Sequence, residues 1–461
     1  MKYGMFVSVS LLALTACSSG GAPAPSTSGA PLPAGLRSLG SPALRAARAR
    51  WDGAAPLAQA TAPATAALPD VNAQSYPAFP PDSPRILGAG GGVLASPKLV
   101  TVTWDGDSSR PIYEAMGAGL GASDYWKTAH QWGVGAIQDR GHVRISAPID
   151  LTVEGAGDYV QANAAPGSGS GWPSYTPGTV YVLYIPANSK AFTLGGVQYC
   201  GWQGFGYHAA TSGASADGGS TPSIPYVVAC GISQPAYSTG IASAGIINAV
   251  TNPHPLAAPA YSRFDADHLA WDAYEGLQSE VGSACLDFDS ALSIPPPPFD
   301  FAVNGFWSNT AAAAGTNPCA PRTSSGVYYN TTTQRAELDD VTLDFSATGT
   351  LGSVTTKGVK VPIGSSKTFT IGFYSDGPSG DWTVSALVVD TLPLLDANGD
   401  PIPNGAVDVT IDRPTGHNGH RARVTVTPRA SSSVFGGEYI ELRSGNAEYT
   451  EPHTLPIFIG Q

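Results

Sequence analysis

The sequence predicts an α+β domain followed by an all-β sandwich, and three observations carry that prediction. Glycine (55) and proline (40) are abundant in the 461 residues while charged side chains are only 13%, a loop-rich, strand-leaning composition without long charged helices. Between about residues 88 and 325, apolar strand-like runs alternate with helix-like segments. Beyond about 336 the pattern changes to short period-two strands, with turn residues roughly every 8–15 positions. At about 150 residues per domain, the length allows two or three.

The chain opens with Lys2 and an apolar run, Met5 to Ala13, shorter than the about 20 residues that span a bilayer. Leu14-Thr15-Ala16-Cys17 follows, a small-residue cleavage site that resembles a bacterial lipobox. Residues 1–16 are thus expected to be a signal peptide, with Cys17 lipidated (palmitate-type acyl chains) and serving as membrane anchor. Each buried CH₂ of the acyl chains contributes about 0.8 kcal/mol, so several chains anchor stably without a transmembrane helix. Ser18 rather than Asp after the cysteine favours an outer membrane or cell-surface destination over the inner membrane. Residues 17–87 are rich in Ala, Pro, Ser and Gly and read as a disordered linker.

Order is expected from residue 88. Lys98 to Trp104 is a β-branched strand; Arg110 to Leu120 and Asp124 to Trp132 have helical character. Strands follow at His142 to Ile149, Thr179 to Ile185 and Pro225 to Ala229, the second apolar throughout as in a strand buried on both faces. Ser238 to Val250 and Asp267 to Ser279 read as helices, completing an α/β domain over 88–335. Candidate sandwich strands begin near Val341, Phe369, Trp382, Val407, Val424 and Tyr439, and their spacing suggests an immunoglobulin-like architecture over 336–461.

Charge and cysteines narrow the function. A net charge of −12 with no basic stripe argues against nucleic acid. After Cys17, four cysteines remain, an even number that fits disulfides in an oxidising compartment. The sequential pairs Cys200–Cys230 and Cys285–Cys319 are favoured among three pairings; each would close a loop of about 30 residues and contribute roughly 3–4 kcal/mol. A Cys₄ zinc site has no C-x-x-C spacing to support it.

The stretch Ile241 to Pro253 places residues 244 and 248 one turn apart on one helix face, where a metallopeptidase helix carries its ligands. It resembles the S-H-E-[IL]-x-E-x-x-[ST]-[DN]-P segment of the EXORDIUM-like, phosphate-induced protein family and its bacterial lipoprotein relatives. Gly92 to Val100, Tyr125-Trp126 with Trp132 to Gly135, Cys200 to His208 and Glu280 to Cys285 are similar to other blocks of that family, in the same order and covering about half the chain. The resemblance implies a zincin-like domain in an exported or envelope-bound protein. Its motif is degenerate here. Ala244 stands for the family's His, Gly245 for its first Glu, Asn248 for its second, and Ser283 for the Asp of E-[IV]-G-D-x-C. Ala and Gly have no donor for a metal, whereas zinc hydrolysis needs three ligands, a water and a base. No His-Glu pair occurs anywhere, so a shifted register does not restore the motif.

His254, Asp265, Asp267, His268, Asp272 and Glu280 form the densest polar cluster. Histidine with carboxylates suits zinc or iron and carboxylates alone suit calcium; the plainer reading has Asp267 capping a helix and Asp265 making a turn. Asp396 to Asp400 mimics the start of a calcium loop but lacks its bidentate Glu, and reads as a turn. Trp172, Trp202, Trp271 and Trp307 are candidates for sugar stacking, with buried core as the commoner fate of tryptophan. The expectation is a cell-envelope lipoprotein acting as a non-catalytic binding or scaffold module for an unknown protein or polysaccharide, with no cofactor. The alternatives are a metal-dependent hydrolase using the relocated cluster and a cell-wall polysaccharide binder.

Overall fold

The computed structural model describes residues 68, 70–71, 74–146, 151, 155–186, 193–194, 197–198, 206–211, 222–230, 235–255, 257–274, 280–285, 292–293, 301–320, 326–344, 353–389, 407–430, 437–445 and 453–460. Cys17, Cys200, Trp202 and the Asp396 to Asp400 loop lie outside them. The described part is strand-rich and mixed: an α/β region followed by a two-sheet region.

After a short strand, β1 (Ile86–Gly88), the main sheet is built from β2 (Lys98–Trp104), β3 (Gln138–Ile145), β4 (Thr179–Ile185), β5 (Gly206–Ala210) and β6 (Pro225–Cys230), in spatial order β3-β2-β4-β6-β5. All neighbours are parallel except the edge strand β5, which runs antiparallel to β6. Helices α1 (Arg110–Gly119), α2 (Asp124–Thr128), α3 (Gly155–Ala164) and α4 (Pro235–Thr251) surround it. Val180, Val182 and Tyr184 pack with Val227 and Ala229 against Tyr113, Met116, Ile246 and Ile247. Tyr181, Leu183 and Val228 on the opposite face meet Ala156, Val160 and Ala164. β4 is therefore covered on both sides, which is why its sequence is apolar without alternation.

The two expected helices before β3 each finish in a tighter 3₁₀ turn, Leu120–Ala122 and Ala129–Trp132. Ser123 caps the second, accepting from the Trp126 amide at 3.3 Å. β3 lies four residues upstream of its expected start, and β5 and α3 carry no strong periodicity in the sequence. The expected Asp267 to Ser279 helix is instead a 3₁₀ turn, Ala266–His268, leading into α5 (Leu269–Tyr274). Its cap is Asp265, not Asp267: the Asp265 carboxylate accepts from the Asp267 amide. A further helix, α6 (Asn309–Ala314), follows strand β7 (Tyr261–Phe264), which pairs with β1.

The second region begins earlier than residue 336. β8 (Tyr329–Thr333) joins β11 (Lys367–Ser375), β15 (Arg421–Pro428) and β13 (Val407–Ile411) in a four-stranded sheet. A six-stranded sheet holds β9 (Asp339–Asp344), β10 (Ser353–Lys360), β17 (His453–Gly460), β16 (Gly437–Gly445), β12 (Trp382–Val389) and β14 (Thr415–Gly416). The sheets meet through Trp382, which stacks on Tyr329 at 4.8 Å and tilts against Phe373 at 5.6 Å. β8 escapes a hydropathy reading because Asn330 to Thr333 are polar yet buried.

The segment ahead of residue 88 departs furthest from expectation. Described residues between 70 and 87, read as linker, form a strap along both regions. The Val71 amide donates to Gly419 O, and Asn418 accepts from the Ala78 amide while donating to Ser75 O. Phe79 fills the space over Gly372, where a Cβ would lie 2.7 Å from its ring. Asn309 holds both the amide and the carbonyl of Ile86 at 2.9 Å. Composition could not reveal this, because the strap is held by side chains that lie 180 or more residues away in sequence.

Candidate functional site

The C-terminal half of α4 and the loop 280–285 build an enclosed polar site. The loop backbone lies directly on the helix: a Cβ at Gly282 would fall 2.1 Å from Ala244 O. Asn248 Oδ1 accepts the Gly282 amide at 2.6 Å, and its Nδ2 donates to Ser283 Oγ at 3.0 Å. Three of the positions read as degenerate (Ala244, Asn248 and Ser283) thus converge, and the chain's own hydrogen bonds fill the space between them. Gly245 faces the sheet instead; a Cβ there would lie 2.6 Å from Val227 Cγ1.

One turn further, Asn252 connects a second group. Its Oδ1 accepts the Ala260 amide at 2.8 Å and its Nδ2 donates to Glu280 Oε1. Glu280 Oε2 is 3.1 Å from His208 Nδ1, and His208 Nε2 is 3.2 Å from Asn252 O. All three residues are buried. Two fasteners hold the loop: Trp307 N donates to Val281 O at 2.8 Å, and Cys285 is disulfide-bonded to Cys319 with Cα atoms 5.7 Å apart, as expected from spacing. Cys230 is also a disulfide cysteine; Cys200 lies outside the described residues.

The candidate polar cluster does not assemble in one place. Glu280 belongs to the buried site above. His254 Nδ1 lies 3.3 Å from Ser223 Oγ, and burial pushes its pKa down. His268 lies at the junction of strap, α/β region and sandwich: its Nδ1 is 2.7 Å from Asp265 Oδ1 and its Nε2 is 3.2 Å from Asp82 Oδ1. Burial disfavours charge on His268, but hydrogen bonds and attraction from Asp265 and Asp82 outweigh it and lift its pKa to about 9. Burial likewise opposes the charge on Asp82, and His268 and Arg335 overcome it, bringing the pKa to about 2. Arg335 spans Asp82 and Asp267, with Nε 2.9 Å from Asp82 Oδ1 and NH1 2.9 Å from Asp267 Oδ2. Only the backbone of Asp272 is described. Among the described residues, no three His, Cys, Asp or Glu side chains are placed to hold a metal ion.

Sequence reasoning singled out neither Asp82 nor Arg335, because a lone Asp in linker-like sequence and a lone Arg carry no spacing signal. Trp271 and Trp307 are buried beside Phe264, while Trp172 is half-buried between Tyr159 and Tyr181. An open cavity of about 500 Å³ lies elsewhere, between the glycine segment after β1, the turn at Gln131 to Gly133, and Tyr261.

No family model matches the chain, and no curated protein does. Two solved structures share a limited likeness. One is an ASH/PapD-like domain of human CEP192, 16% identical over 22% of this chain and 78% of that one, with a TM-score of 0.16. The other is a family 123 glycoside hydrolase from Clostridium perfringens, 16% identical over 29% of this chain and 26% of that one, also with a TM-score of 0.16. At these scores neither bears on fold or function.

Proposed function

We propose that this chain is a lipid-anchored cell-envelope protein whose zincin-like α/β domain binds or scaffolds rather than cleaves, followed by an immunoglobulin-like sandwich. The observation that carries the reading is the contact of Gly282 and Ser283 with Ala244 and Asn248. A metallopeptidase keeps an open coordination position beside its helix; here that helix face is closed by the chain itself. Three segments that carry the family resemblance, around His208, Asn252 and Glu280, meet at this point, which supports the zincin-like reading. The mixed sheet with its antiparallel edge strand over α4 supports it too. The lipid anchor rests on Leu14 to Cys17 alone.

Metal analysis of the purified protein with a peptidase assay tests the first part. No stoichiometric zinc and no chelator-sensitive cleavage are expected; finding both would overturn the reading. Labelling with a palmitate analogue tests the anchor: wild-type chain should carry label and Cys17→Ala should not. Equal labelling of both removes Cys17 as the anchor.

A further inference from the structure

The open cavity of about 500 Å³ has the size of a small-ligand site. Among the described residues, none that lines it is charged. Gly88, Gly90 and Gly91 line it together with Gln131, and Tyr261, the ladder partner of Gly88, supplies an aromatic wall. Trp132 backs the wall, packing edge-to-face on Tyr261 with ring centroids 4.8 Å apart. Each part is held from outside the cavity. Trp132 Nε1 donates to Trp307 O at 3.2 Å. Gln131 Nε2 donates to Thr128 O at 3.1 Å while its Oε1 accepts from Ser308 Oγ at 2.9 Å. A primary amide so placed keeps one N–H and one lone pair for a ligand. Ala89 and Gly91 amides donate to Ala260 O and Pro259 O, fixing the glycine segment.

We propose that this cavity binds an uncharged glycan, with a pyranose ring against Tyr261, glycine backbone beneath it and a ring hydroxyl on Gln131. The chemistry selects this class. The uncharged described lining disfavours ionic ligands, which need a partner when desolvated. An aromatic wall suits the apolar face of a sugar ring, and glycine lets a ligand approach the backbone closely. An extended peptide would need a free strand edge, but the Ala89 and Gly91 amides and both polar groups of Ile86 are already bonded. The proposal rests on reading the chain as a binding module and gives that module a ligand class.

Two variants separate ligand loss from misfolding. Tyr261→Ala removes the wall. Gly88→Leu fills the cavity: a Cβ there meets Tyr261 Cε1 at 3.5 Å, an ordinary contact, so the backbone need not move. Gly92→Ala is the control, since its Cβ would meet nothing within 4 Å and it does not line the cavity. Calorimetric titration of the full chain with cellohexaose and chitohexaose should show binding of at least one. Both cavity variants should weaken it by about tenfold or more, as for an aromatic anchor, with Gly92→Ala unchanged and hexagalacturonate not bound. No binding of either neutral hexasaccharide at millimolar concentration would overturn the proposal, as would binding that survives both cavity variants. Failure here, with zinc and peptidase activity still absent, leaves the non-catalytic reading standing without this ligand; zinc-dependent cleavage would remove that reading separately.

Discussion

His208 and His268 each face carboxylates, but in opposite surroundings. His208 is fully enclosed with Glu280 and Asn252 under the end of α4. His268 sits at a junction with Asp82, Asp265 and Arg335, where several charges share the load and part of the site reaches solvent. The first arrangement joins neighbouring elements of one region and closes a helix face. The second joins three segments that are distant in sequence. Similar residue types therefore do two jobs: in the dry site each hydrogen bond is irreplaceable, and in the wet one the net of charges matters more than any member.

The sharpest break in that comparison is Glu280→Ala. It removes the buried carboxylate that accepts from the Asn252 amide and faces the His208 ring, and should cost about 3–5 kcal/mol, read as a fall in the denaturant midpoint. Pairing Glu280→Leu with His208→Phe should recover much of the loss, because an apolar pair carries no desolvation cost. A loss under about 1 kcal/mol for Glu280→Ala would mean the site is wetter than its enclosure indicates. Gly282→Ala comes next. Its Cβ would press on the Ala244 carbonyl, and backbone cannot swing away as a side chain can, so about 1–3 kcal/mol is expected. Unchanged stability would show that the loop is not seated on the helix.

These two sites also show how far the sequence could be read. β2, β4, β6 and α4 were legible because burial on one or two faces leaves a periodic apolar trace, as in Val180 to Ile185. The dry site was half legible: residues 244, 248 and 283 could be grouped through a family resemblance, whereas the link from His208 to Glu280 joins residues about 70 apart in the chain and leaves no local trace. The wet site was legible only in part. Asp265 and His268 are three apart and on one turn, but Asp82 lies in a segment whose Pro- and Ser-rich composition reads as linker. Such a strap is ordered by what it touches, not by what it is made of, and β8 fails in the same way because its threonines are polar yet buried.

The junction should betray itself by pH. The folded pKa of His268, about 9, lies above its ordinary 6.5. Its contribution is therefore fully present below pH 6.5 and is lost as pH rises through about 9. Asp82 is shifted the other way, from 3.8 to about 2, so its contribution is present above 3.8 and is lost as pH falls through about 2. Wild-type stability should thus decline by on the order of 2–3 kcal/mol between pH 6.5 and 9, and His268→Gln should flatten that slope. A slope that persists in His268→Gln would assign it to other groups.

The smallest effect, and the one that best separates the two sites, is Arg335→Lys. The guanidinium reaches Asp82 through Nε and NH2 and Asp267 through NH1 at once, a fork that an ammonium cannot reproduce. Arg335 is 44% exposed, so water already screens it and the loss should be only about 0.5–1 kcal/mol. Salt provides the discriminating measurement. At 1 M ionic strength the Debye length is about 3 Å, and the difference between Arg335→Lys and wild type should largely vanish. The Glu280→Ala deficit should stay, because counter-ions do not enter a site with no solvent contact. If both deficits responded to salt alike, the two histidine sites would not differ in the way their burial implies, and the loop over α4 would have to open in solution.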